Sequence, residues 1–153
     1  MNTKDYYKVS YDRWDNAVNC FKNKDFFVSL YLAGYSVECI LKYVILETLF
    51  AEEVTKPNGL NLVKTAPRSS DYYPLQTHDL AGLMHLGNQR NVFVLPKESD
   101  FKEVIKWSSE WRYATEHNIN NRIAEDFLLS LVDISKQLKS SLQGKIKIKE
   151  FVI

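Results

Sequence analysis

Residues 26–52, FFVSLYLAGYSVECILKYVILETLFAE, are apolar on nearly every side. Spacings of three and four recur and strict alternation is rare, so the stretch reads as a helix rather than a strand. Phe27, Leu30, Tyr31, Gly34, Val37, Leu41, Val44 and Ile45 cannot share one stripe of such a helix. A helix that is apolar all round sits at the centre of a bundle or in an interface. Glu38, Lys42 and Glu47 interrupt it, and no run of eighteen uncharged apolar residues remains. The segment is therefore expected as a buried core helix and not a membrane span. Gly34 in a helix interior costs ~1 kcal/mol against alanine. Close approach of another helix would explain it, and so would tolerance.

Working outward, Trp14, Ala17, Val18 and Phe21 give one apolar face to a first helix over about Asp5–Lys22. Asn23-Lys24-Asp25 separates it from the second, with Asp25 as N-cap. Residues 55–76, with Pro57, Gly59, Pro67 and Pro74, form an irregular loop long enough to be functional or mobile. Thr77 is expected to cap a third helix with Leu80, Leu83 and Met84 inward, followed by a linker containing VFVLP. A fourth helix starts at Ser99 or Asp100 and carries Phe101, Val104, Ile105 and Trp111. Asn120 or Asn121 caps a fifth, whose stripe runs Ala124, Phe127, Leu128, Leu131, Ile134 or Ser135, Leu138 and Leu142, with Gly144 ending it. The expected fold is all-α: an up-and-down bundle of about five helices over residues 1–144, dimeric because of its surplus apolar surface. The basic tail, 145–153, alternates lysine with isoleucine. It could pair with a second copy as a strand; lying on the surface or staying disordered is the expectation.

The chain has 153 residues, 45% of them hydrophobic and 25% charged, which fits one globular domain with a real core. A net charge of +1 predicts no bulk attraction to nucleic acid, so a binding surface must come from local clustering. Lys136, Lys139, Lys145, Lys147 and Lys149 do cluster, and read as a solvated end of the molecule. Cys20 and Cys39 lie among apolar neighbours without metal-ligand spacing, as buried free thiols of a reducing compartment do. The first fifteen residues hold no apolar run of a secretory signal, and the expected location is cytoplasmic.

Two charged pairs carry the chemistry. In WRYATEH, 111–117, Arg112 and His117 are five apart. On an unbroken helix they would diverge by about 140°. They can converge if the helix ends near Tyr113 and the chain turns, which the polar run up to Asn120 favours. Arg112 also suits a plain role as a helix-end cation, with His117 a loop histidine. Glu38 and Lys42, four apart on the central helix, share one face in the favourable order. Burying such charges costs several kcal/mol per ion unless they are paired, and charges kept in such places often mark sites. A structural pair reaching the bundle edge is the alternative.

E-x-x-x-K on the second helix, then R-x4-H near the end of the fourth, resembles the HEPN-domain family, named for higher-eukaryote and prokaryote nucleotide-binding. The resemblance is carried by SLYLAGYSVECILKYVI at 29–45, HDL at 78–80 and WRYATEH at 111–117, within a span of about residues 6–142. It implies a metal-independent endoribonuclease in a dimeric helical bundle, needing no cofactor and acting as a toxin or phage-defence effector. Its implied catalytic residues are Arg112, His117, Glu38 and Lys42, with Tyr113 and Asn118 beside them for substrate. RNA cleavage needs a base for the 2′-OH, an acid for the departing 5′-oxygen and positive charge on the phosphorane. Histidine titrates near neutrality and moves protons; the arginine fork matches phosphate oxygens; lysine adds charge.

Implied partners are RNA, a second copy of the chain and a nucleotidyltransferase antitoxin, with no membrane. Toxins silenced by such an antitoxin often carry a tyrosine two positions after the histidine. Here that position is Ile119, which argues against silencing by nucleotide attachment. His78 and His85 share a helix but lack the convergent ligands of a metal site, and His78 reads as a structural histidine. There is no Gly-rich phosphate loop. Tyr72 and Tyr73 could stack on bases, although loop anchors are the plainer reading. The other class of function is a non-catalytic HEPN module that binds nucleotide or protein.

Overall fold

The structure, a computed structural model, describes residues 2–56, 65, 67–96, 101–110 and 118–153. Its regular elements are all helical: α1 (Thr3–Lys22), α2 (Phe26–Leu49), α3 (Leu80–Gln89), α4 (Lys102–Ile105) and α5 (Asn121–Leu142), with 3-10 turns at Glu53–Thr55 and Tyr73–Gln76. Among the described residues there is no β-strand. The result is an all-α bundle built around α2, which packs on α1, α3 and α5. By length and composition α2 could cross a bilayer, but the most apolar part of it is mostly buried inside the fold.

α1 begins with a capping box, in which the Asn2 side chain accepts from Asp5 N–H and the Asp5 side chain accepts from Asn2 N–H. It runs antiparallel to α2. Thr3 Oγ1 donates to Glu47, Ser10 Oγ donates to the Ser36 carbonyl at 2.8 Å, and Ser29 Oγ donates to the Ala17 carbonyl at 2.7 Å. Partners thus descend on α2 as they ascend on α1. Small side chains at this seam let the two helices approach, and their hydroxyls find backbone acceptors there, so burial leaves none unsatisfied. Glu47, the third charge on α2, sits at the edge of the bundle and takes Thr3 as its donor.

Several sequence expectations hold. All eight apolar or serine positions of the α5 stripe are buried, and the Asn120 side chain caps the helix by accepting from Ile123 N–H at 2.9 Å. On α3, Leu80, Leu83 and Met84 face inward. Its cap differs, because Asp79 and not Thr77 accepts from Gly82 N–H. The VFVLP stretch is more than a linker. Asn88 clamps Leu95 through both its N–H and its carbonyl, and Val92, Phe93 and Leu95 join the core.

Two expectations are corrected. The fourth helix is a four-residue turn, Lys102–Ile105, with Trp107 beyond its end, and the expected start at Ser99 or Asp100 and the expected Trp111 lie outside the described residues. The Trp107 indole lies over Gly34 and its N–H donates to the Tyr31 carbonyl at 3.1 Å. A large ring with a donor needs both burial and an acceptor, and here α2 supplies both. A methyl group on Gly34 would overlap the ring, so this glycine makes room for an indole and not for a helix backbone. The second correction is the tail. Lys145, Lys147 and Lys149 are exposed as expected, but Ile148 and Phe151 are buried. Phe151 stacks on Trp14 with ring centres 4.5 Å apart, its N–H donates to Ser135 Oγ, and Trp14 Nε1 donates to the Val152 carbonyl. The tail is therefore an extended clasp between α1 and α5, and it forms no strand.

Candidate functional site

α2 sets Glu38 and Lys42 one helical turn apart, and Lys42 Nζ donates to Glu38 Oε1 at 2.6 Å. Their side chains are 3% and 6% exposed. Lys42 also donates to the Thr77 carbonyl at 2.7 Å. The next residue, His78, brings Nδ1 to 3.0 Å from both Glu38 oxygens. Carboxylate, ammonium and imidazole thus form one cluster that ties the chain before α3 to the middle of α2. A short charge-assisted bond offsets part of the desolvation of each ion.

The cluster lies in the wall of a cleft of about 770 Å³. α1 contributes Tyr6 and Arg13 to the lining, α2 contributes Tyr31 and Tyr35, and Leu75 and Gln76 come from the turn before α3. The cleft is therefore aromatic-walled, with charged groups set into it. Burial raises the Tyr6 phenol above its ordinary pKa, with smaller contributions from Cys39 and Glu38, so Tyr6 is a neutral hydroxyl at physiological pH. Burial, and then the Glu38 charge, pushes the Cys39 thiol up to about 12, which leaves it inert.

Of the residues singled out in the sequence, the structure brings Glu38 and Lys42 together as a buried pair. Asn118 is exposed and does not line the cleft. Arg112, Tyr113 and His117 lie outside the described residues. Trp107, five positions before Arg112 in sequence, packs 5.1 Å from Tyr35, whose ring is 5.4 Å from His78. The structure pairs His78, read from the sequence as a structural histidine, with Glu38, a partner that the spacing did not indicate. The available signal was physical: a carboxylate inside an apolar helix must find donors, and HDL follows directly on the long loop. Tyr72 is a loop anchor, edge-on to Phe50 at 4.9 Å and beneath the Arg90 guanidinium.

As a cation site the cluster is poor, since Lys42 already supplies Glu38 with a positive charge. Among the described residues no three His, Cys, Asp or Glu side chains converge elsewhere. In comparisons with known proteins, no family model, no curated protein and no solved structure matches the chain.

Proposed function

We propose that the protein is a metal-independent endoribonuclease of HEPN type, a cytoplasmic, homodimeric toxin or phage-defence effector. The observation that carries the reading is the Glu38–Lys42 pair, buried in α2 yet set into the wall of an open cleft. A pair kept only for solubility would face solvent, whereas this one is desolvated beside a cavity that a ligand can enter. In the proposed reaction the 2′-OH attacks the adjacent phosphate. Arg112 holds the phosphate oxygens, His117 transfers a proton, and Lys42 contributes positive charge while Glu38 holds it in place. Tyr113 and Asn118 contact the RNA, Asn118 from outside the cleft. Two copies facing one another would concentrate these groups, so a chain of net charge +1 can hold RNA locally. A nucleotidyltransferase encoded beside it would be the antitoxin, acting by a route that needs no tyrosine at position 119.

The test is cleavage of end-labelled RNA by purified protein. Cleavage that disappears in both Arg112→Ala and His117→Ala, while sedimentation shows the dimer intact, supports the reading; equal cleavage by both variants refutes it. One observation favours a second reading, a non-catalytic module binding nucleotide or protein: Lys42 already donates to Glu38 and Thr77, as a structural lysine does. Tight binding of a nucleotide by a folded protein that cleaves no RNA would select that reading.

A further inference from the structure

Glu38 holds a second group besides Lys42. Both carboxylate oxygens face His78 Nδ1 at 3.0 Å. An ionised carboxylate can only accept, so Nδ1 is the donor and the neutral ring carries its lone pair on Nε2. Among the described residues, no bond is made at Nε2. The His78 side chain is 47% exposed and lines the cleft, whereas its anchor Glu38 is 3% exposed. One edge of the ring is thus fixed by a buried group, and among the described residues nothing holds the other, half-exposed edge. The anchor is itself held, because Lys42 bonds both Glu38 and the carbonyl of Thr77, the residue joined to His78. Tyr35 meets the ring edge-on at 5.4 Å. Other titratable or charged groups of this cleft are Tyr6 and Arg13 on α1 and Tyr31 and Cys39 on α2, while neighbouring Asp79 is engaged as the α3 cap.

We propose that His78 is an acid–base group of this cleft, taking the 2′-OH proton of a bound ribonucleotide on Nε2 while Glu38 stabilises the imidazolium that forms. The inference rests on the ribonuclease reading and adds a second imidazole to it, one that the R-x4-H spacing does not assign. In the step, the O2′–P bond forms as the P–O5′ bond breaks. The 2′-OH proton passes to Nε2, the 5′-oxygen leaves with the proton that the ribonuclease reading assigns to His117, and exchange with solvent returns both imidazoles to their starting states. The products are a 2′,3′-cyclic phosphate and a 5′-hydroxyl, with no net change in protons. A carboxylate behind a histidine serves this role by fixing the tautomer and the ring orientation.

His78→Asn tests it in the full-length chain. Asparagine can place an amide donor near the position of Nδ1, so Glu38 keeps its bond, but it cannot take up a proton. The expected result is an unchanged melting temperature and a fall in kcat of about 100-fold or more. The acid limb of the kcat/KM profile should vanish, and added imidazole should partly restore His78→Ala. Wild-type kcat and an unchanged pH profile in His78→Asn would overturn the proposal while leaving the ribonuclease reading intact. If the folded wild type cleaves no RNA, both fall together. A separate measurement needs no variant to fold: ring nitrogen chemical shifts of the wild type above neutral pH should show Nδ1 protonated and Nε2 bare, and the opposite tautomer overturns the proposal.

Discussion

The Glu38–Lys42 pair behaves differently under single and double substitution. Removing one ion leaves the other buried without its main counter-charge, so Lys42→Met should cost about 3–5 kcal/mol. Glu38→Leu combined with Lys42→Met removes both desolvation penalties and should recover most of that loss, since two apolar side chains need no partner there. His78 would lose Glu38 in the double variant, but it is half-exposed and can bond to water. Urea unfolding of the wild type, both single variants and the double variant forms a cycle that measures the coupling. A double variant that loses the sum of the two singles would mean that the ions act independently. The pairing itself is readable from the i, i+4 spacing, because a helix dictates it. The contacts to Thr77 and His78 are not, since they bridge 35 and 40 residues of chain.

Between elements, fit decides more than propensity. Alanine at position 34 should favour the helix by ~1 kcal/mol, yet its methyl would meet the Trp107 ring. Overpacking of this kind costs about 1–3 kcal/mol, so Gly34→Ala is expected to lower the melting temperature. A rise would show that the indole does not rest there. At the tail, Phe151→Ala removes a buried ring stacked on Trp14 and should cost about 3–5 kcal/mol. A shift in tryptophan emission should accompany it. An unchanged unfolding midpoint would mean that the clasp adds nothing to the fold. The alternating lysines and isoleucines of the tail were legible as a pattern with one wet and one dry side. Nothing in that pattern names α1 and α5 as the elements that receive the dry side.

For the molecule as a whole, pH is a revealing variable. Burial raises Cys39, Tyr6, Tyr11 and Tyr43 above their ordinary values, Cys39 from 9.0 to about 12. Between those two values the unfolded chain has released the thiol proton and the folded chain still holds it. The folded state then binds more protons, so stability falls as pH rises. This contribution is fully present below about pH 9 and is lost as pH climbs toward about 12. The tyrosines steepen the decline above pH 10, the ordinary value from which they are raised. Urea midpoints measured across that range should drop steeply, and Cys39→Ala should flatten the first part of the drop. An equal slope in that variant would remove Cys39 from the account. The same burial predicts that Cys39 resists alkylation at neutral pH until the protein unfolds, which peptide mass mapping can check.

Local periodicity was enough to place α1, α2, α3 and α5 and to name the inward faces of α1, α3 and α5, because a helix repeats every 3.6 residues and apolar side chains must leave water wherever they fall on it. It also marked Glu38 and Lys42 as out of place in an apolar helix. Which groups would relieve that misplacement came from packing alone. His78 reaches Glu38, Trp107 fills the space left by Gly34, and Phe151 closes on Trp14. Each of these joins segments far apart in the chain, and the partner is set by which surfaces are left uncovered once the helices have assembled. No neighbour-to-neighbour rule along the chain carries that information.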